Sequence, residues 1–125
     1  MNTSLIPYLP ELPQSSHASF LIALDKQLGK DLYPCSWVES THSASAEEII
    51  SKLEVAIAEL INVHHASLGN VLYRIDVPEG PIRALMARTE PSERVSVLAS
   101  AILEREAKKV WMRMIYSTGE GKSQG

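Results

Sequence analysis

The sequence predicts an all-α fold: a compact bundle of four to five helices preceded by an extended, proline-containing N-terminal arm. Three observations lead there. Two long amphipathic patterns, AEEIISKLEVAIAELI at 46–61 and SERVSVLASAILEREAKKVWMRMIY at 92–116, carry apolar residues three and four places apart. Shorter apolar runs between them repeat that spacing. The one segment that alternates strictly, as a strand would, is VLYRIDV at 71–77, and it has no second strand of comparable quality to pair with. A chain of 125 residues, 45% of them apolar, suits one domain (1–125) with a core of its own.

Each element can be justified in order. Residues 1–14 hold Pro7, Pro10 and Pro13, and proline disfavours helix at the residue before it, so an extended arm is expected. Leu5, Ile6, Tyr8 and Leu12 imply that the arm lies on something, its own domain or a partner. A first helix is expected over 16–29, capped by Ser15 or Ser16, carrying Leu21, Leu24 and Leu28, and stopped by Gly29. Residues 30–44, with Tyr33-Pro34 and a Ser/Thr/His-rich stretch, read as a connection. Ser45 and Glu48 then form a capping-box pattern ahead of Ala46, Ile50, Leu53, Ile57 and Leu60, with Ile49, Ala56 and Ile61 widening the stripe. Glu48 stands four before Lys52, the favourable order for a helical ion pair.

Over 66–77, Leu68, Val71, Leu72 and Ile75 match the helical template fully. Asp76-Val-Pro-Glu-Gly-Pro breaks the pattern, and Pro81 suits the first turn of a short helix bearing Ile82, Leu85 and Met86. Thr89-Glu90-Pro91 opens the last helix, whose acids Glu90 and Glu93 lie near its positive end. A Gly/Ser/Lys-rich tail at 117–125 is expected to be flexible. The expected core is Leu21, Leu24, Leu28, Ile50, Leu53, Ile57, Leu60, Leu68, Leu72, Ile75, Leu85, Leu98, Ile102 and Val110.

The runs LYRIDVPEGPIRALM and ASAILEREAKKVWMR are similar to segments in a group of short, uncharacterised helical bacterial proteins. In these an acidic helix, an LYRID-type helix and a long C-terminal helix follow one another. The resemblance covers residues 45–115 and implies an all-helical fold. It brings no activity, substrate or catalytic residue with it.

Charge and composition narrow the function classes. The net charge of −3 divides into −2 over residues 1–44, −3 over 45–87 and +2 over 88–125. An acidic chain with a weakly basic end is poorly suited to neutralising many phosphates, so nucleic acid is not an expected partner. The N-terminus lacks a basic and then apolar leader pattern, and no run approaches the ~18 apolar residues of a membrane span, so a cytoplasmic location is expected. Cys35 is the single cysteine and has no neighbouring base in YPCSW, which reads as an inert thiol. No GxSxG, phosphate-loop or dinucleotide-binding pattern is present. His64 and His65 are adjacent and would point ~100° apart on a helix; His17 and His42 lie elsewhere, and Glu59 is five residues from His64, off register for a shared ion. No catalytic, cofactor-binding or metal-ligating residue is assigned, and no cofactor is expected.

Two surface features remain. Arg105, Lys108, Lys109 and Arg113 stand at offsets zero, three, four and eight on the last helix, a cation row that could dock an acidic partner. The same row fits a solvated C-terminal helix end favoured by the macrodipole, with Glu104 four before Lys108. Trp111, Met112, Met114, Ile115 and Tyr116 exceed what one helix face can bury, so either the arm folds back over them or a second subunit does. Trp37 reads as a core anchor. The expected function is a non-enzymatic helical protein-interaction module that self-associates, as a homodimer, or binds another protein. Its candidate interface is Trp111, Met114, Ile115, Arg105, Lys109 and Arg113. The alternative is an enzyme or small-ligand binder with a pocket between helices near 64–76, formed by His64, His65, Tyr73, Arg74 and Asp76.

Overall fold

The structure is a computed structural model that describes residues 6–40 and 44–124, with side chains as far as Ser117. Five α-helices occupy the described residues: α1 His17–Asp31, α2 Ala46–Asn62, α3 Leu68–Ile75, α4 Glu79–Ala87 and α5 Arg94–Gln124. No strand occurs among the described residues. The fold is therefore the all-α bundle the periodicity predicts. The long α5 packs against each of the other four helices and forms the centre of the bundle. Leu98, Ile102, Ala107 and Val110 on α5 are buried against Leu24 and Leu28 of α1, Leu53, Ile57 and Leu60 of α2, and Leu68, Leu72 and Ile75 of α3.

The N-terminal arm departs from the extended form expected of it. Its first five residues lie outside the described part. From Ile6 onward the chain is wound, with single 3₁₀ turns at Leu9–Glu11 and Gln14–Ser16. Proline's fixed φ serves the first turn of a helix as well as it serves an extended chain, and Pro10 stands at such a position. The winding lets Ile6 and Leu9 reach full burial, which a straight arm would have left exposed. Tyr8 takes a left-handed backbone (φ 72°) to make the bend. The His17 Nε2–H donates to the Leu12 carbonyl at 3.0 Å and ties the turn to the start of α1.

Gly29 does not stop the first helix, which runs on to Asp31. A Cβ at Gly29 would lie 2.7 Å from Cδ1 of Trp37, so the glycine is a seat for the indole. The carbonyls left open at the helix end are satisfied from a distance. Arg74 on α3 donates Nη1 to the carbonyls of Asp31 and Tyr33, each at 2.8 Å.

Helix α2 starts as the capping box requires: the Glu48 amide donates to Ser45 Oγ and the Ser45 amide to Glu48 Oε1, both at 3.1 Å. The expected Glu48–Lys52 pair does not form. Lys52 reaches instead to Asp25 on α1 and to the Val38 carbonyl, and its ammonium lies 4.8 Å from the Trp37 ring centre. Asp25 is only 3% exposed, and a buried carboxylate left without a cation costs several kcal/mol, more than an exposed helical pair returns.

Residues 68–75 form a helix, closed by Asp76 in the left-handed region (φ 75°) that aspartate tolerates better than most residues. Three expected core positions shift outward. Leu21 and Ile50 are half-buried, and Leu85 is 39% exposed while Ile82 takes its place inside. A helix as short as α4, nine residues or about two and a half turns, presents few inward positions, and a single residue carries most of its burial. The backbone of α5 continues helically to Gln124; the flexible tail expected at 117–125 concerns residues whose side chains, beyond Ser117, lie outside the described part.

Candidate functional site

Two features of the α1–α5 contact stand apart from ordinary core. The first is a buried polar cluster. Along α5 the apolar stripe runs Ile102, Glu106, Val110, so Glu106 occupies a core position and is 0% exposed. Along α1, Asp31 continues the stripe of Leu24 and Leu28 and is 4% exposed. Lys109 stands between them: its Nζ donates to Asp31 Oδ2 at 3.1 Å and to the Arg74 carbonyl at 3.2 Å, and lies 3.0 Å from Glu106 Oε2. Gln27 Nε2 donates to Asp31 Oδ2 at 2.7 Å. The Lys109–Glu106 approach is close in distance but not directed as a hydrogen bond, and both Glu106 oxygens lack a directed partner.

Electrostatics assign the protons. Burial, reinforced by the neighbouring Asp31 carboxylate, pushes the Glu106 carboxyl up to about 8. Burial pushes Asp31 the same way, but the hydrogen bonds from Gln27 and Lys109, together with the neighbouring Glu106 carboxyl, outweigh it and hold Asp31 below the usual carboxylate range. Burial works against the Lys109 charge, and Glu106 and Asp31 more than restore it, so its ammonium stays above its ordinary value. At neutral pH the cluster is a neutral Glu106 beside an Asp31–Lys109 ion pair. One proton shared between two carboxyls leaves no net charge inside.

The second feature is a groove. Leu12, Pro13, Ala23, Val110, Met114 and Ile115 form the apolar part of a hollow of about 930 Å³ between α1 and α5, and Lys26, Gln27, Lys30 and Arg113 stand along it. An adjoining hollow of about 540 Å³ adds Lys109, Met112 and Tyr116. Among the described residues four cations line the two hollows, and no carboxylate does. Arg113 donates Nη2 to Gln27 Oε1 at 2.8 Å, a neutral acceptor that leaves its charge uncompensated. Lys26 and Lys30 are exposed and have no partner among the described residues. In a chain of net charge −3 this is a local reversal of sign.

The candidate interface residues fall on both sides of this division. Met114, Ile115 and Arg113 line the groove, and Lys109 belongs to the buried cluster and the adjoining hollow. Arg105 donates to Asp76 Oδ2 at 2.7 Å, fastening the end of α3. Trp111 is covered by the N-terminal turn, with the Tyr8 ring centre 5.1 Å from its own. The Tyr8 hydroxyl donates to Glu104 Oε2 at 2.8 Å, a bond that raises the phenol above its usual value. Glu104 is thus taken, and the expected Glu104–Lys108 pair does not form; Lys108 has no ion partner among the described residues. The basic row is therefore mostly a set of internal staples.

The alternative pocket residues do not converge. His64 donates Nε2–H to Glu59 Oε2 at 3.0 Å, and Glu59 Oε1 accepts the Ser36 amide at 3.1 Å. His65 is exposed, Tyr73 is 88% exposed, Arg74 caps α1, and Asp76 holds Arg105. None of the five lines either hollow. His42 lies outside the described residues. Cys35 is buried, and burial, with Glu59 nearby, pushes its thiol up to about 11, against any nucleophilic use at neutral pH.

Reading the sequence alone missed Glu106, Asp31 and the groove's α1 side. The two acids do leave a signal, since each interrupts an apolar stripe at a position that must face inward. Lys26 and Lys30 leave none, because their meeting with Arg113 depends on how α1 lies along α5. No protein-family model, curated protein or solved structure matches the chain.

Proposed function

We propose that this protein is a non-enzymatic helical interaction module that self-associates, with the α1–α5 groove as its binding surface. The observation that carries the reading is the groove itself: an apolar floor in a hollow of about 930 Å³, bordered by exposed cations that no described residue neutralises. Ile22 and Tyr116, 46% and 62% exposed, extend apolar surface on α1 and α5. The polar cluster behind the groove supports the same reading. Its Asp31 and Lys109 are engaged with each other and with Gln27 and the Arg74 carbonyl, and the buried thiol and the dispersed 64–76 residues offer no assembled reactive centre. A cytoplasmic setting belongs to the proposal and suits a lone cysteine held as a thiol. Among the described residues no helix is long and apolar enough to cross a membrane.

Size-exclusion chromatography with light scattering across a concentration series tests the reading. The expected result is a mass that rises with concentration. A strict monomer at every concentration and at low salt removes it.

A further inference from the structure

We infer that the occupant of the α1–α5 groove is the acidic outer face of α2 from a second copy, so that copies join head to tail and not as a closed two-fold pair. The inference rests on the self-association just proposed and names its two surfaces. A two-fold pairing of groove on groove would set Lys26, Lys30 and Arg113 of one copy against the same cations of the other, and like charges brought together across an interface oppose association. The groove asks for acids. Helix α2 buries Ile49, Leu53, Ala56 and Leu60 in its own core, which turns Glu47, Ser51, Glu54 and Val55 to the outside, with Ala58 half-buried at their edge. Glu47 and Glu54 are exposed and have no partner among the described residues, unlike Glu48 and Glu59, which are held by the capping box and by His64. Val55, 69% exposed, supplies an apolar contact beside them. One face thus carries acids around a small apolar centre, and the other carries cations around a larger apolar floor. Because the two surfaces differ, each copy that donates α2 still has its groove open, and the contact propagates unless a ring closes.

Two charge-reversed proteins test this. Lys26→Glu with Lys30→Glu gives a copy acidic at both surfaces, and Glu47→Lys with Glu54→Lys gives a copy basic at both; all four positions are exposed. Light scattering on each alone should show association weakened about tenfold or more. An equimolar mixture should recover it, because each variant's groove then meets the opposite charge on the other's α2. Far-UV circular dichroism confirms that each variant folds. If one does not, the neutral pairs Lys26→Gln/Lys30→Gln and Glu47→Gln/Glu54→Gln should each weaken association several-fold. Variants that associate as the parent does, or that fail to recover on mixing, overturn the head-to-tail arrangement while self-association stands. A parent protein that stays monomeric overturns both.

Discussion

Glu106 takes its acidity from its place in a stripe of leucine, isoleucine and valine. Between the ordinary carboxyl value of 4.5 and its own value of about 8, the folded protein holds a proton that the unfolded chain has released. Stability therefore falls as pH rises through that window, and the contribution is intact only below it. Asp31 acts with the opposite sign: its lowered value contributes stability that is present at neutral pH and lost in acid. Glu106→Gln keeps the shape but removes the titration. Thermal melts of that variant should show little change near pH 5 and a gain of order a few kcal/mol over the parent near pH 8.5, with a flatter pH profile. A parallel profile for the two proteins would place the pH dependence elsewhere. At Gly29 the constraint is steric. Alanine gains about 1 kcal/mol of helix propensity, but its methyl group collides with a rigid indole, and overpacking costs about 1–3 kcal/mol. Gly29→Ala should lower the melting temperature and, in a Trp111→Phe background, shift Trp37 emission to longer wavelength as the ring is displaced.

Helices differ in how far their own residues determine them. Helix α2 was legible because its cap and its stripe lie within four residues of one another, and the structure reproduces both. The end of α1 was not, because it is fixed by Trp37 and by Arg74, 43 residues away from Asp31. The N-terminal turn was misjudged for a related reason. Proline spacing is compatible with an extended arm or a 3₁₀ turn, and the burial of Ile6 and Leu9 decides between them. Charged neighbours at helical spacing were equally ambiguous: Glu48–Lys52 and Glu104–Lys108 both give way to partners on other elements. Helix α4 offers a measurable contrast. Ile82→Ala should cost about 2–5 kcal/mol in denaturant unfolding, because the side chain is 6% exposed, whereas Leu85→Ala should cost well under half of that. Equal losses would mean that α4 packs on both residues.

At the scale of the whole molecule, the protein has an acidic side on α2 and a basic furrow between α1 and α5. If these surfaces meet, association should weaken with salt, because exposed charges lose much of their attraction beyond a screening length of about 10 Å at 0.1 M ionic strength. Sedimentation at low and high salt should show the mass of the assembly falling as salt rises. An assembly indifferent to salt would point to apolar contacts alone. The furrow was half legible. Met114, Ile115 and Arg113 were visible as an overfull helix end, but the lysines that complete it come from α1, and only the packing of α1 along α5 puts them there.

Cys35 gives the molecule a built-in clock. The thiol lies buried within the α1–α2 connection, and its high pKa leaves almost no thiolate at pH 8. Alkylation by iodoacetamide should therefore be slow in the native protein and fast in denaturant. The native rate would count how often the thiol's surroundings open, with no label to be engineered in.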